Sequence, residues 1–203
     1  MPDLWQFIAA AIGGYVLGSI PFGLVITRIA GLGDIREIGS KSIGATNVLR
    51  TGRKDLALAT LLGDSLKAGI AVLIFTSLFH RNAGLIAGAS AFLGHCFPIW
   101  LRFKGGKGIA TYAGLLAFSS WPGFIVGAPI WLTMFALTRI SSLSALTAAI
   151  GVPIGAWLLG ETKFAIYTLA ALSVLVFWTH RANIGRLLKG EEPRFGASKK
   201  AKE

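Results

Sequence analysis

Charge is what this sequence has least of. Only 14% of its 203 residues are Asp, Glu, Lys or Arg, where an ordinary soluble domain carries about a quarter. The shortage is mostly acidic, with nine Asp and Glu against 20 Lys and Arg. Cysteine is single, so Cys96 has no partner for an internal disulfide or a thiolate metal site and reads as a small buried residue. No metal and no cofactor are expected. A Gly-x-Ser-x-Gly nucleophile elbow is missing. So is a Walker A loop, because Leu101 stands at its first glycine and Lys107 is followed by Gly108 rather than Ser or Thr. The start, Met1-Pro2-Asp3, lacks the positive region of a signal peptide, so the first apolar segment is read as a permanent span.

What is abundant is uninterrupted apolar chain. The stretches Leu4 to Thr27, Asn82 to Leu101, Gly108 to Thr138 and Ile140 to Gly160 carry no charge, and each is near or above the roughly 20 residues that cross a bilayer. With a mean hydropathy of +0.66, the chain reads as one all-α integral membrane domain over residues 1–203, with a basic tail from about 196. Spans are expected near 4 to 28, 56 to 79, 84 to 101, 143 to 160 and 164 to 180. The run 108 to 138 exceeds one span, and Ser119-Ser120-Trp121-Pro122-Gly123 inside it is a turn signal, which predicts two short helices.

Basic residues decide the orientation. A seven-span helical bundle with its N-terminus outside and its C-terminus cytoplasmic puts 17 of the 20 Lys and Arg on the inner side. Six spans would put the tail outside, against the preference of Lys and Arg for the cytoplasm. The net charge of +11 is then accounted for by topology and anionic membrane lipid, and nucleic acid is not an expected partner. Some helices must be short or broken. Small residues four apart, as at Gly14 and Gly18, suit close helix contacts in lipid.

Three inner segments carry candidate chemistry. The first, Gly39 to Arg50, joins small residues, hydroxyls and an amide to an arginine, a set that suits an oxyanion and equally suits a polar loop with a helix cap. In the second, Phe103-Lys104-Gly105-Gly106-Lys107-Gly108, glycines and two lysines lead into an apolar helix, and a helix N-terminus is a ready phosphate site. The third, Thr179 to Glu192, puts His180, Asn183 and Arg186 three apart on one helical face. A basic membrane-edge helix explains its arginines but not His180 or Asn183. Within the second span, Asp64 and Lys67 are spaced to pair, as a structural ion pair or as part of an internal polar site. His95, near the inner end of the third span, reads as a helix-packing residue.

Gly18-Ser19-Ile20-Pro21-Phe22-Gly23, the Gly39 to Arg50 run, His95 to Pro98, Phe103 to Thr111 and His180 to Glu192 together resemble the bacterial acyl-phosphate:glycerol-3-phosphate acyltransferase family, PlsY, over residues 13 to 195. The resemblance implies an enzyme of the bacterial inner membrane with its active face in the cytoplasm. Its substrates would be acyl phosphate and glycerol-3-phosphate, and its products lysophosphatidic acid and inorganic phosphate, for phospholipid synthesis. It implies Ser40, Arg50, His180 and Asn183 as catalytic residues. Asn47, Lys104, Gly105, Gly106, Lys107 and Arg186 would bind substrate, and Asp64, Lys67, His95 and Glu192 would support the site. The chain departs from the family at Lys41 and Ser42, where Gly and Asn usually follow the serine.

The chemistry is consistent with that implication. Two phosphorylated substrates need two oxyanion sites beside an apolar groove, and clustered Lys, Arg and glycine loops next to helices supply them. Acyl phosphate is an activated mixed anhydride, so no strong protein nucleophile is required. A His followed five residues later by Asp, the usual base arrangement of CoA-dependent acyltransferases, is absent. A transporter for a phosphorylated solute is the rival reading, but the candidates gather on one face rather than at the midplane. A non-catalytic lipid-binding protein would leave Ser40, Asn47 and Asn183 without a purpose.

Overall fold

The computed structural model describes residues 3–196. Met1 and Pro2 lie outside that range, as does the basic tail after Gly196 that the sequence sets apart. Among the described residues all regular structure is helical. Helix α1 (Leu4–Gly18) is followed by α2 (Phe22–Ile29), α3 (Ala45–Leu49), α4 (Lys54–Leu78) and α5 (Arg81–Cys96). Then come α6 (Ile109–Ser119), α7 (Trp121–Thr138), α8 (Ser141–Leu158), α9 (Lys163–Thr179) and α10 (Arg181–Leu188).

The first expected span is broken. Pro21 cannot donate a backbone hydrogen bond, so α1 ends at Gly18 and α2 restarts at Phe22. The carbonyls freed at the break find side-chain donors, Trp100 Nε1 on Ser19 O and Lys67 Nζ on Ile20 O, each at 2.9 Å. Such replacement is what the interior of a bilayer demands of an interrupted helix. Nearby, α1 and α5 touch backbone to backbone: a Cβ added at Gly14 or Gly18 would stand 2.1 Å from the carbonyl oxygen of Ala87 or Ala91.

The long apolar run also breaks where its turn signal lies. Ser120 Oγ accepts from Gly123 N at 3.3 Å and caps α7. The products are not two short helices, however. α7 has 18 residues, whereas α6 has 11, about 16 Å of helix against a hydrocarbon core of about 30 Å. The chain supplies the missing length itself: Gly105 N bonds Cys96 O and Gly106 N bonds His95 O, both at 3.0 Å, so Lys104–Gly108 folds back along the end of α5 and α6 starts inside the bundle. Among the described residues, five segments are long and apolar enough to cross a membrane, or six if α9 and α10, bent by 61°, count as one.

Contacts at the two ends of the bundle differ in kind. At one end Trp5 meets Phe79, Phe7 meets His80, and Arg81 reaches Ser119 O and the carboxylate of Glu161. At the other, Thr46 meets Ser141, Thr179 Oγ1 donates to Lys107 O, and Phe195 N donates to Arg139 O. That second end holds the three polar segments. α7 packs mainly on α8 and exposes most of its surface.

Candidate active site

Asn47 organises the first segment. Its side chain is buried, its Oδ1 accepts from Ser40 N at 2.9 Å, and its Nδ2 donates to Ile35 O and Ser42 O at 2.8 Å and to Ile38 O at 3.2 Å. Both amide protons are therefore committed to the loop's own backbone. Arg50 folds back over Gly39, where an added Cβ would meet its Cδ at 3.0 Å. Lys41 is exposed and holds a left-handed φ of 56°, a conformation that favours glycine. Ser42 Oγ accepts from Gly44 N at 3.4 Å. An asparagine there would close the same small turn. At the loop's start Asp34 pairs with Arg36, whose hydrogen bonds outweigh the opposing effect of burial and hold the carboxyl well below the usual carboxylate range.

The second segment delivers Lys107. Burial pushes its ammonium pKa down to about 8, with the Glu192 carboxylate opposing the shift. Behind it Gly108 caps α6, whose first residues Ile109 and Ala110 line the same cavity as Lys107, so the amide-rich end of a helix faces that space. Lys104, by contrast, is exposed and does not line the cavity. Gly105 and Gly106 lie against His95, where a side chain on either would collide.

The third segment turns at His180, the elbow between α9 and α10. Its Nδ1 is 2.8 Å from Val176 O. A carbonyl can only accept, so the proton sits on Nδ1 and Nε2 keeps its lone pair. Asn183 and Arg186, one helical turn apart, converge on Glu192: Nδ2 donates to Oε1 at 2.5 Å and Nε to Oε2 at 2.7 Å. Ser142 Oγ, from the first turn of α8, donates to the same Oε1 at 2.7 Å. Burial alone would raise the Glu192 pKa, but these three donors lower it, so the carboxylate stays charged. Asn183 Oδ1 is buried without a partner among the described residues.

Asp64 and Lys67 do pair, at 2.8 Å, deep in the bundle. Lys67 Nζ also contacts His95 Nδ1 at 2.9 Å, so His95 belongs to a polar cluster as well as to helix packing. Cys96 is buried and free, as its solitary occurrence predicts.

These groups meet in one cavity of about 670 Å³. Ser40, Asn47, Arg50, Asp64, His95, Lys107, His180, Asn183 and Glu192 all line it. Lys67, Lys104, Gly105, Gly106 and Arg186 stand behind or outside it. Away from the polar end the wall becomes apolar, with Leu116, Phe124, Trp131, Phe135, Ala149 and Val152. One flank is edged by Leu58, Leu61 and Leu62 of α4 and Leu132 of α7, all exposed on the outside of the bundle. Sequence reading missed Ser141 and Ser142, although two serines after the break at Arg139-Ile140 signal a helix start. It also missed the apolar lining, because lining and lipid-facing residues have the same composition. Among the described residues no group of His, Cys, Asp and Glu could hold a metal ion.

Comparison with known proteins agrees with this geometry. The sequence profile of the family described as glycerol-3-phosphate acyltransferase matches residues 8–190. A glycerol-3-phosphate acyltransferase of Hyphomonas neptunium is 70% identical over 98% of both chains. One of Maricaulis maris is 58% identical over 98% of this chain and 92% of its own. Among solved structures, PlsY (YgiH), an integral membrane glycerol 3-phosphate acyltransferase, superposes in its glycerol 3-phosphate form with a TM-score of 0.88 and 35% identity, covering 94% of this chain and 96% of that one. Its lysophosphatidic acid form gives 0.86 and 34%.

Proposed function

The chain belongs to the glycerol-3-phosphate acyltransferase family, and from that premise we propose that its acyl donor is acyl phosphate and that it releases inorganic phosphate. It is an integral membrane enzyme that acylates glycerol-3-phosphate to lysophosphatidic acid. The observation that carries the donor reading is the single cavity. Lys107, Arg50 and the α6 N-terminus lie at its polar end, and the apolar wall continues from them toward the leucine flank. A phosphate with a fatty chain attached fits both parts at once, and a second phosphate fits beside it.

In this reading the 1-hydroxyl of glycerol-3-phosphate attacks the acyl carbonyl carbon. The new ester C–O bond forms, the bond from that carbon to the phosphate oxygen breaks, and the hydroxyl proton passes to the departing phosphate. His180 Nε2, with its lone pair free, orients the hydroxyl. Ser40 and Arg50 stabilise the charge that develops on the oxygens, which is where preorganised donors contribute most. Glu192 holds Asn183 and α10 in place.

The orientation follows from charge: seven spans, N-terminus outside, C-terminus and cavity at the cytoplasmic face of the bacterial inner membrane. The support is that the Lys and Arg of the three polar segments collect at the cavity end, with Arg81 at the opposite end. The test of the donor is direct. Purified protein given acyl phosphate and glycerol-3-phosphate, without added metal, should release phosphate and form lysophosphatidic acid. Acyl-CoA should support at least tenfold less, about 1.4 kcal/mol in the barrier. Equal rates with acyl-CoA would remove the acyl-phosphate assignment.

A further inference from the structure

The mechanism above leaves unused a buried polar cluster that reaches the cavity. Lys67 Nζ has three neighbours, Asp64 Oδ1 at 2.8 Å, Ile20 O at 2.9 Å and His95 Nδ1 at 2.9 Å. An ammonium has three protons and nothing to accept with. Three neighbours at donating distance use all of them, with His95 Nδ1 as the acceptor at 2.9 Å; Asp64 Oδ1, the one competing partner for that nitrogen, stands farther off at 3.4 Å. Asp64 balances the charge of Lys67, so the imidazole beside them stays neutral and carries its one proton on Nε2. That N–H makes no hydrogen bond among the described residues, and since His95 is only 3% exposed and lines the cavity, the cavity is where it can find an acceptor.

The position of Nε2 indicates what it awaits. A Cβ at Gly106 would stand 2.1 Å from Nε2, and one at Gly105 would meet His95 O at 2.1 Å. The glycine loop is thus laid over the imidazole ring and pinned there by Gly106 N on His95 O. Its bare Cα leaves Nε2 unblocked, and His95 lines the cavity that Lys107 and the start of α6 also line. A donor beside a cationic, amide-rich pocket matches an oxyanion.

We propose that His95 is a substrate-binding residue, its Nε2–H donating to a substrate phosphate, with Lys67 and Asp64 as positioning residues that fix the tautomer. This rests on the functional reading above. The shared chemistry is a phosphate oxygen, and the neighbouring glycine and lysine loop assigns it to glycerol-3-phosphate rather than to the acyl donor. Asp64 and Lys67 make no contact of their own in the reaction. They act through His95, which explains why an ion pair is retained where apolar side chains would cost less.

The full-length protein in detergent provides the test. The parent must first turn over acyl phosphate with glycerol-3-phosphate, and failure at that stage sinks the functional reading rather than this one. His95→Ala should weaken calorimetric binding of glycerol-3-phosphate about tenfold or more and change KM for acyl phosphate less than about threefold, a tenfold loss being about 1.4 kcal/mol. His95→Gln, whose amide carries a donor near the Nε2 position, should recover most of that binding. Equal losses for both substrates, or a glutamine variant as weak as alanine, would overturn the assignment, and a larger effect on acyl phosphate would move the contact to the donor.

Two spectra keep the proposal open to refutation should the alanine variant not fold. In parent protein labelled with 15N-histidine, His95 should show a single Nε2–H form whose signal moves on adding glycerol-3-phosphate and stays put on adding glycerol. No movement refutes the contact. In the charge-neutral pair Asp64→Asn with Lys67→Met the two tautomers should mix and glycerol-3-phosphate binding should fall severalfold. Retention of pure Nε2–H would remove the positioning role.

Discussion

Replacing Asn47 by alanine separates shaping from binding. The side chain holds Ser40 N and Ser42 O of the first polar segment, and Ile35 O just before it, at 2.8 to 2.9 Å. Alanine leaves those groups without partners; Ile35 O is buried, and an orphaned buried group costs about 1 to 3 kcal/mol, so the closed loop loses about that much. If that loss falls on the loop, its open population rises by up to roughly a hundredfold, since each 1.4 kcal/mol is tenfold. In the proposed mechanism activity needs the closed form, because Ser40 and Arg50 reach the cavity from it. kcat/KM should fall by up to about a hundredfold for both substrates together. Amide exchange at Ser40, followed by mass spectrometry in the same detergent, should accelerate by a similar factor, with protection in α4 and α5 unchanged. Asn47→Asp should do no better, because it keeps the acceptor for Ser40 N but turns the donor toward Ile35 O and Ser42 O into a second acceptor. Unchanged exchange at Ser40 together with a raised KM for one substrate alone would refute the argument and make Asn47 a substrate ligand.

Lys41→Gly should stabilise the loop slightly or leave it unchanged, since the left-handed φ costs a side chain about 1 to 2 kcal/mol while glycine loses about 0.5 to 1 kcal/mol more in chain entropy. A fall in kcat/KM beyond about tenfold would give the exposed lysine a role in the reaction. Lys107, lowered to about 8 by burial, is charged below that pH and neutral above it. kcat/KM for glycerol-3-phosphate should therefore decline as pH rises through about 8, and Lys107→Arg, which stays charged, should move the decline beyond pH 9 or remove it. For topology, single cysteines in a Cys96→Ala background should react with an impermeant thiol reagent added outside at Thr162 but not at Lys54, and labelling at Lys54 would invert the orientation.

Local spacing made part of this molecule readable in advance. Asp64 and Lys67 are three apart on one helix and had to be neighbours; Ser119 to Gly123 is a turn whatever surrounds it. Asn183 and Arg186 share a face by the same rule, but their target Glu192 is completed by Ser142, fifty residues earlier, and no local pattern carries that contact. Asn47 was visible as an amide in a polar loop. Its inward turn was not, because its partners at residues 35, 38, 40 and 42 come together only when the loop closes. The break at Pro21 has its signal in the proline itself, but the unbroken hydropathy around it masks that signal. The shortness of α6 has the subtlest cause: a charge-free run measures apolar length, and it does not register that Lys104–Gly108 already descends into the bundle beside α5.

The leucine flank between α4 and α7 bears on how the enzyme is supplied. Lifting a fatty chain into water costs roughly 0.8 kcal/mol per methylene, so even ten methylenes would add about 8 kcal/mol to every turnover. With the proposed acyl-phosphate donor, a cavity edged by Leu58, Leu61, Leu62 and Leu132 would spare the substrate that passage, its chain sliding in sideways from the leaflet and the product's chain sliding back. Only the small phosphorylated acceptor has to arrive from the aqueous side. The donor concentration that the enzyme responds to is then a mole fraction in the plane of the membrane. Diluting the bilayer with inert lipid should slow the reaction even when the amount of acyl phosphate per litre is held constant.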